Sequence, residues 1–217
     1  TDLTLRAARL LQETTGTTLG AEITLHKHLP AGGGLGGGSS DAATTLIVLN
    51  RLWGAGLDRT ALAGLGLRLG ADVPVFIHGQ AAWAEGEGEQ LTPVSPPENW
   101  YVVLVPPVHV STAEVFRDFA RQLTPFSPIS RIRGFREGPG RNDLAPFTRA
   151  RIPQVGQTLD WLQQFGEARM TGSGACVFAV VPDKARGEAI LARASAALGF
   201  SGFTAQGRNR HPLYEGA

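Results

Sequence analysis

Six glycines fall within seven consecutive positions of this chain, Gly32, Gly33, Gly34, Gly36, Gly37 and Gly38, with Leu35 the single side chain among them. No regular element tolerates such a run, because each glycine loses more backbone freedom on ordering than any other residue. The segment must therefore be a loop, and its flanks say of what kind. On the N-terminal side Ala21, Ile23 and Leu25 alternate with Glu22, Thr24 and His26, which predicts a half-buried strand ending before Pro30. On the C-terminal side Ala42, Leu46, Leu49 and Trp53 recur at helical spacing, with Ala43, Ile47 and Asn50 alongside, until Gly54 and Gly56 close the pattern. Strand, glycine loop and buried helix follow one another. Backbone without Cβ can approach an anion closely, and the first N–H groups of the helix carry partial positive charge, so the loop is built to cradle phosphate. Ser39 and Ser40 add hydroxyls, as helix caps or as ligands to phosphate or magnesium. A flexible hinge is the competing reading, and six glycines set against an apolar helix weigh against it.

Several phosphate loops share this logic. The P-loop pattern of nucleoside triphosphatases needs a lysine after its last glycine, and Ser39 stands there instead. Gly32, Gly34 and Gly37 satisfy the dinucleotide fingerprint, with Asp58 at a suitable distance for a ribose contact, but a glycine-dense run meets that spacing by accident. A dinucleotide-dependent oxidoreductase stays open as an alternative at this point. Protein kinases are excluded by the absence of their His-Arg-Asp and Asp-Phe-Gly motifs.

Composition narrows the field. With 42% hydrophobic and 18% charged residues in 217, the chain is that of a globular protein large enough for two small domains. Twenty Lys and Arg against nineteen Asp and Glu, without a basic stripe, leave no footprint for a nucleic-acid backbone. No apolar run reaches membrane length, and no nucleic acid or membrane partner is expected. The lone Cys176 allows no internal disulfide and no multi-cysteine metal site, which fits a cytoplasmic protein. Thr1 opens the sequence inside a helical pattern, and the lone methionine is Met170, so the natural start is expected upstream.

Helices are predicted over 2–14, over 58–69 with Asp58 as N-cap, near 111–122, around Val155, Leu159 and Leu162, and over 183–198. Strands are predicted near 80–84, 90–94, 100–105, 175–181 and 202–206. Residues 71–74 read as a short irregular connection, since Pro74 disfavours helical geometry at Val73. Prolines around 95–98 mark a domain boundary, giving domains 1–94 and 95–217 in an α+β arrangement. A loop runs from Thr124 to Asn142, and its Arg131, Arg133, Arg136 and Arg141 read as solvated. Asp72 reads on spacing as a helix cap. Gly172, Ser173 and Gly174 form either a strand-entry turn or a close-approach site, and Thr112 and Phe116, four apart on a helix, are either core or pocket-lining. His26 and His28 share a strand face but have no third ligand nearby, Lys27 between them is a solvated lysine or a nucleotide contact, and Cys176 is a buried thiol.

Residues Pro30–Ala43, the string Gly70–Phe76, and the turn Met170–Phe178 together resemble the three motifs of the GHMP kinases, small-molecule alcohol kinases. The Ala84–Glu89 turn and the triplet Asn142, Asp143 and Leu144 strengthen the likeness, which runs in order along nearly the whole chain. The resemblance implies a two-domain GHMP kinase fold: an N-terminal domain like ribosomal protein S5 domain 2, its first strands missing here, and a ferredoxin-like C-terminal domain. It implies ATP and Mg2+ as cofactors, with ATP held by Lys27 and by Pro30, Ala31, Gly32, Gly33, Gly34, Leu35, Gly36, Gly37, Gly38, Ser39, Ser40 and Asp41, and the metal at Ser40. Asp72 becomes the group that accepts the alcohol proton, and Thr112, Phe116, Gly172, Ser173 and Gly174 line the substrate site. The implied substrate is 4-diphosphocytidyl-2-C-methyl-D-erythritol, phosphorylated on its 2-hydroxyl; another alcohol of the same superfamily is the alternative. In the resembled kinases a lysine and strands upstream of this sequence complete the site, so residues 1–217 alone are expected to be inactive.

Overall fold

A computed structural model describes residues 2–122 and 142–214. The predicted loop 124–142 and its four arginines therefore lie outside the described residues, Asn142 excepted. The chain divides into two compact units, residues 1–28, 36–98 and 208–217 forming the first and residues 29–35 and 99–207 the second. The expected domains 1–94 and 95–217 are each continuous in sequence, whereas each of these units also holds a segment distant in sequence.

In the first unit α1 (Leu3–Thr15) opens on Asp2, whose carboxylate accepts from the Thr4 N–H at 2.9 Å, and stops at Gly16 in the left-handed region. Asp2, expected as the first residue of the helix, is its cap. Ala7 and Leu11 are fully buried against α2 (Gly37–Leu52), where Ala42, Ala43, Leu46, Ile47 and Leu49 form the facing stripe. In α3 (Arg59–Leu69), Asp58 accepts from the Ala61 N–H at 2.8 Å, so its carboxylate caps a helix. A short helix α4 (Val73–His78) begins inside the stretch 71–74 expected to be irregular. Its Pro74 lies in the first turn, where a missing N–H costs nothing, and Val73 and Ile77 are fully buried to hold it there. The strands β1 (Ala82–Glu85) and β2 (Gln90–Pro93) pair as an antiparallel hairpin.

The strand expected at Ala21, Ile23 and Leu25 does not form. Residues 17–28 are irregular, those from Thr18 onward are exposed, and Ile23 is 40% exposed. Alternation produces a strand only where a neighbour accepts its backbone hydrogen bonds, and none of the described strands pairs with this segment.

The second unit holds a four-stranded sheet in the order β4-β5-β3-β6, with β3 (Trp100–Leu104), β4 (Ala168–Met170), β5 (Val177–Val181) and β6 (Gly202–Gln206). Every pairing is antiparallel. Helices α5 (Thr112–Gln122), α6 (Ala145–Arg151) and α7 (Pro153–Leu162) connect β3 to β4, and α8 (Lys184–Leu198) connects β5 to β6, the connectivity of a ferredoxin-like domain. Val177, Ala179 and Val181 face the core while Val180 is 48% exposed, the period-two signal that made β5 readable. The sequence pattern missed α6 and β4, of seven and three residues, because neither is long enough to show a period. An antiparallel sheet also removes the dinucleotide-binding alternative, which needs a doubly wound parallel one.

Candidate active site

Residues 29–35, the first part of the glycine run, belong to the second unit and are anchored within it. Gly34 adopts φ +71, and a Cβ there would lie 2.5 Å from the Thr171 carbonyl oxygen. The Thr171 hydroxyl donates to the Gly33 carbonyl at 2.7 Å, and the Cys176 N–H reaches the same oxygen at 3.3 Å. The turn 171–176 therefore grips residues 33 and 34 through the Thr171 hydroxyl and backbone atoms, at distances that only a side chain as small as hydrogen allows.

At Gly36 the backbone again takes a left-handed φ of 69, and α2 begins at the next residue without a side-chain cap. The first helical bond is Ser40 N–H to the Gly36 carbonyl at 2.9 Å, which leaves the N–H groups of Gly37, Gly38 and Ser39 with no acceptor inside the helix. A sixteen-residue helix adds its dipole at this end. Ser39 and Ser40 lie inside the first turn, so the capping role expected for them falls to Gly36. Lys27 reaches Asp41 at 2.9 Å and Asp2 at 3.4 Å, and the hydrogen bond with Asp41 is the main reason its ammonium is held above the usual lysine range. The cation is thus fixed beside the second turn of α2, although residues 26–28 form no strand.

Asp72 stands immediately before α4 but makes no cap bond; its side chain is exposed. The preceding residue is the one touched by the hairpin turn: a Cβ on Gly88 would overlap the Ala71 carbonyl. The Ala84–Glu89 motif thus serves as a prop behind the residue before Asp72.

In the second unit the Thr112 hydroxyl lies 2.8 Å from that of Ser173, a buried residue whose carbonyl accepts from Thr148 at 2.9 Å. Asn142 donates to the Met170 and Gly172 carbonyls at 2.9 and 2.8 Å. Thr112 and Ser173 are therefore brought together, and Thr148, Asn142 and Thr171 hold the turn in place. Sequence reasoning assigned none of these three a function; a run of hydroxyl and amide side chains carries no period to reveal it. Phe116 is 51% exposed on the Thr112 side of α5 while Val115 fills the core, so the core reading of Phe116 fails. Exposed His26 and His28 belong to no metal-binding cluster among the described residues.

Cys176 is fully buried, and burial pushes its thiol up to about 11. At pH 8 only about one part in a thousand would be thiolate, so iodoacetamide should leave the folded protein unlabelled for hours and modify it promptly in denaturant. Mass spectrometry of the intact chain reads the difference; rapid labelling of the native protein would place Cys176 at an accessible site.

Sequence comparison identifies the group to which this architecture belongs. The GHMP kinases N terminal domain matches residues 2–80 and the GHMP kinases C terminal domain matches residues 130–199. A 4-diphosphocytidyl-2-C-methyl-D-erythritol kinase of Alkalilimnicola ehrlichii is 59% identical over 95% of this chain and 69% of its own length. The protein of the same name from Thiobacillus denitrificans is 55% identical over 99% of this chain and 76% of its own. A crystal structure of 4-(cytidine 5'-diphospho)-2C-methyl-D-erythritol kinase, 35% identical, superposes with a TM-score of 0.73 over 95% of this chain and 77% of that one. A homoserine kinase from Cytophaga hutchinsonii, at 16% identity and TM-score 0.72, covers 97% of this chain and 76% of its own and shares the fold. With both domains matched in order and relatives more than half identical along nearly all of its length, the chain belongs to the GHMP kinase family.

Proposed function

We propose that this chain is part of an enzyme that carries out ATP-dependent phosphorylation of the 2-hydroxyl of 4-diphosphocytidyl-2-C-methyl-D-erythritol. The observation that carries the reading is the identity, above half along nearly the whole chain, with proteins bearing that enzyme's name. Phosphoryl transfer asks a protein mainly to position its reactants and to offset charge on the transferring group. Backbone N–H groups of Gly37, Gly38 and Ser39 at the start of α2 supply hydrogen bonds to the nucleotide phosphates, and residues 30–36 wrap them with backbone alone. Asp72, free of any capping duty, takes the proton of the attacking hydroxyl. Thr112, Phe116 and the turn 172–174 contact the alcohol substrate.

Mg2+ would be held by the Ser40 hydroxyl, in the first turn of α2 beside the uncapped N–H groups, together with phosphate oxygens and water. When bound it offsets phosphate charge. No helix among the described residues is long and apolar enough to cross a membrane, and the lone buried cysteine supports a reducing, cytoplasmic setting.

A panel of alcohols decides between this substrate and another of the superfamily. In the full-length protein, ADP release should require 4-diphosphocytidyl-2-C-methyl-D-erythritol, with homoserine, galactose and mevalonate giving background rates. Turnover of one of those three in its place would reassign the substrate while leaving the phosphate site intact.

A further inference from the structure

The six residues of α4 make a strut about 9 Å long with Asp72 at one end. What secures the other end comes from far along the chain. Helix geometry leaves the last carbonyls without intrahelical donors, and in so short a helix these are most of its backbone. Here the Ile77 carbonyl accepts from the Tyr214 hydroxyl at 2.7 Å, the His78 carbonyl from the Arg59 guanidinium at 3.3 Å, and the Gly79 carbonyl from the His211 N–H at 3.0 Å. Arg59 lies over the Tyr214 ring, 4.5 Å from its centroid, and the Phe76 and Tyr214 rings each meet His211 edge-on. Gly79, at φ +73, presents its bare Cα to the Tyr214 ring, where a Cβ would overlap it. The segment is itself tied down: Asn209 accepts from the Ala81 N–H at 2.8 Å and donates to the Pro96 carbonyl at 2.9 Å.

We propose that Tyr214 is a positioning residue for the phosphoryl transfer, clamping the C-terminal end of α4 so that Asp72 at its other end is held where it meets the substrate hydroxyl. The proposal rests on the kinase reading above, in which Asp72 is the proton acceptor. Displacing a general base by a fraction of an ångström lowers turnover without touching nucleotide affinity, and that split is the signature. A loss of general stability has a different one, since it lowers rate whatever residue stands at position 72.

The test uses the full-length protein and the variants Tyr214→Phe, Tyr214→Ala, Asp72→Asn and the double Tyr214→Ala/Asp72→Asn, assayed below their unfolding temperatures. Tyr214→Phe keeps the ring and its contact with Arg59 and loses only the hydroxyl, so it remains informative even where Tyr214→Ala does not fold. Expected are kcat values about threefold lower in Tyr214→Phe and about tenfold lower in Tyr214→Ala, with the KM for ATP within about twofold of the parent. In the Asp72→Asn background, Tyr214→Ala should change the residual rate by less than about twofold, because the group it positions is already gone. An unchanged kcat in Tyr214→Phe and Tyr214→Ala overturns the proposal, as does an equal loss with and without Asp72. Parental turnover in Asp72→Asn alone would instead strike at the base assignment beneath it, and that variant reports on it separately.

Discussion

Replacing Asp72 by Asn in the full-length protein should lower kcat by about 10²–10⁴, the range that a positioned general base contributes, while ATP affinity stays within about twofold. Asn keeps the size and polarity of the side chain and removes only its capacity to take a proton. The structure sharpens the expectation, because the carboxylate does not cap α4 and is exposed. A capping residue would cost stability on substitution; this one should leave thermal unfolding within about a degree or two of the parent, the size of effect usual for a surface change. Steady-state ADP release and a melting curve measure the two quantities on one sample. Near-parental kcat would reduce Asp72 to the residue that happens to precede a helix.

Gly34→Val is expected to abolish measurable ATP binding, raising the Kd at least about 100-fold, which corresponds to about 2.7 kcal/mol or more. Two physical effects act together at this position. The φ of +71 costs a residue with a side chain about 1–2 kcal/mol, and the new Cβ would press on the Thr171 carbonyl at 2.5 Å. Neither can be relieved without pulling residues 33 and 34 off the turn that grips them, so the loop moves and the N–H groups it presents move with it. Gly54→Ala serves as the control, since Gly54 has φ +62 and a methyl added to its Cα would meet nothing within 4 Å. It should carry the backbone strain alone, with a slightly lower Tm and unchanged ATP affinity by calorimetry. Parental ATP affinity in Gly34→Val would remove the phosphate-loop assignment and with it the kinase reading.

Much of the second unit was readable in advance, for reasons visible in particular residues. Val177, Ala179 and Val181 alternate with a half-buried and an exposed side chain, and each predicted strand near them found its partner in the antiparallel sheet. The helix over Ala42, Leu46 and Leu49 was equally plain, because its buried stripe is long enough to show the period. Alternation in Ala21, Ile23 and Leu25 was just as clear and gave no strand. A local pattern records which face is apolar; the ladder that makes a strand of it is supplied by other parts of the chain.

The candidate site divides along the same line. A glycine loop before a buried helix, two serines after it and an Asp ahead of a Pro-containing turn are local features, written in consecutive residues, and so the sequence by itself determined that a helix with uncapped backbone N–H groups would follow the glycine run. Only the tertiary structure decided what holds those features in place. Thr171 lies 138 residues from the Gly33 carbonyl it grips, and Tyr214 lies 137 from the Ile77 carbonyl it caps. The carbonyl groups left over at loops and helix ends carry no preference for a partner of any particular sequence distance. Which hydroxyl reaches them is settled by packing, when the chain brings remote segments together and each buried polar group must find a partner or pay the cost of desolvation.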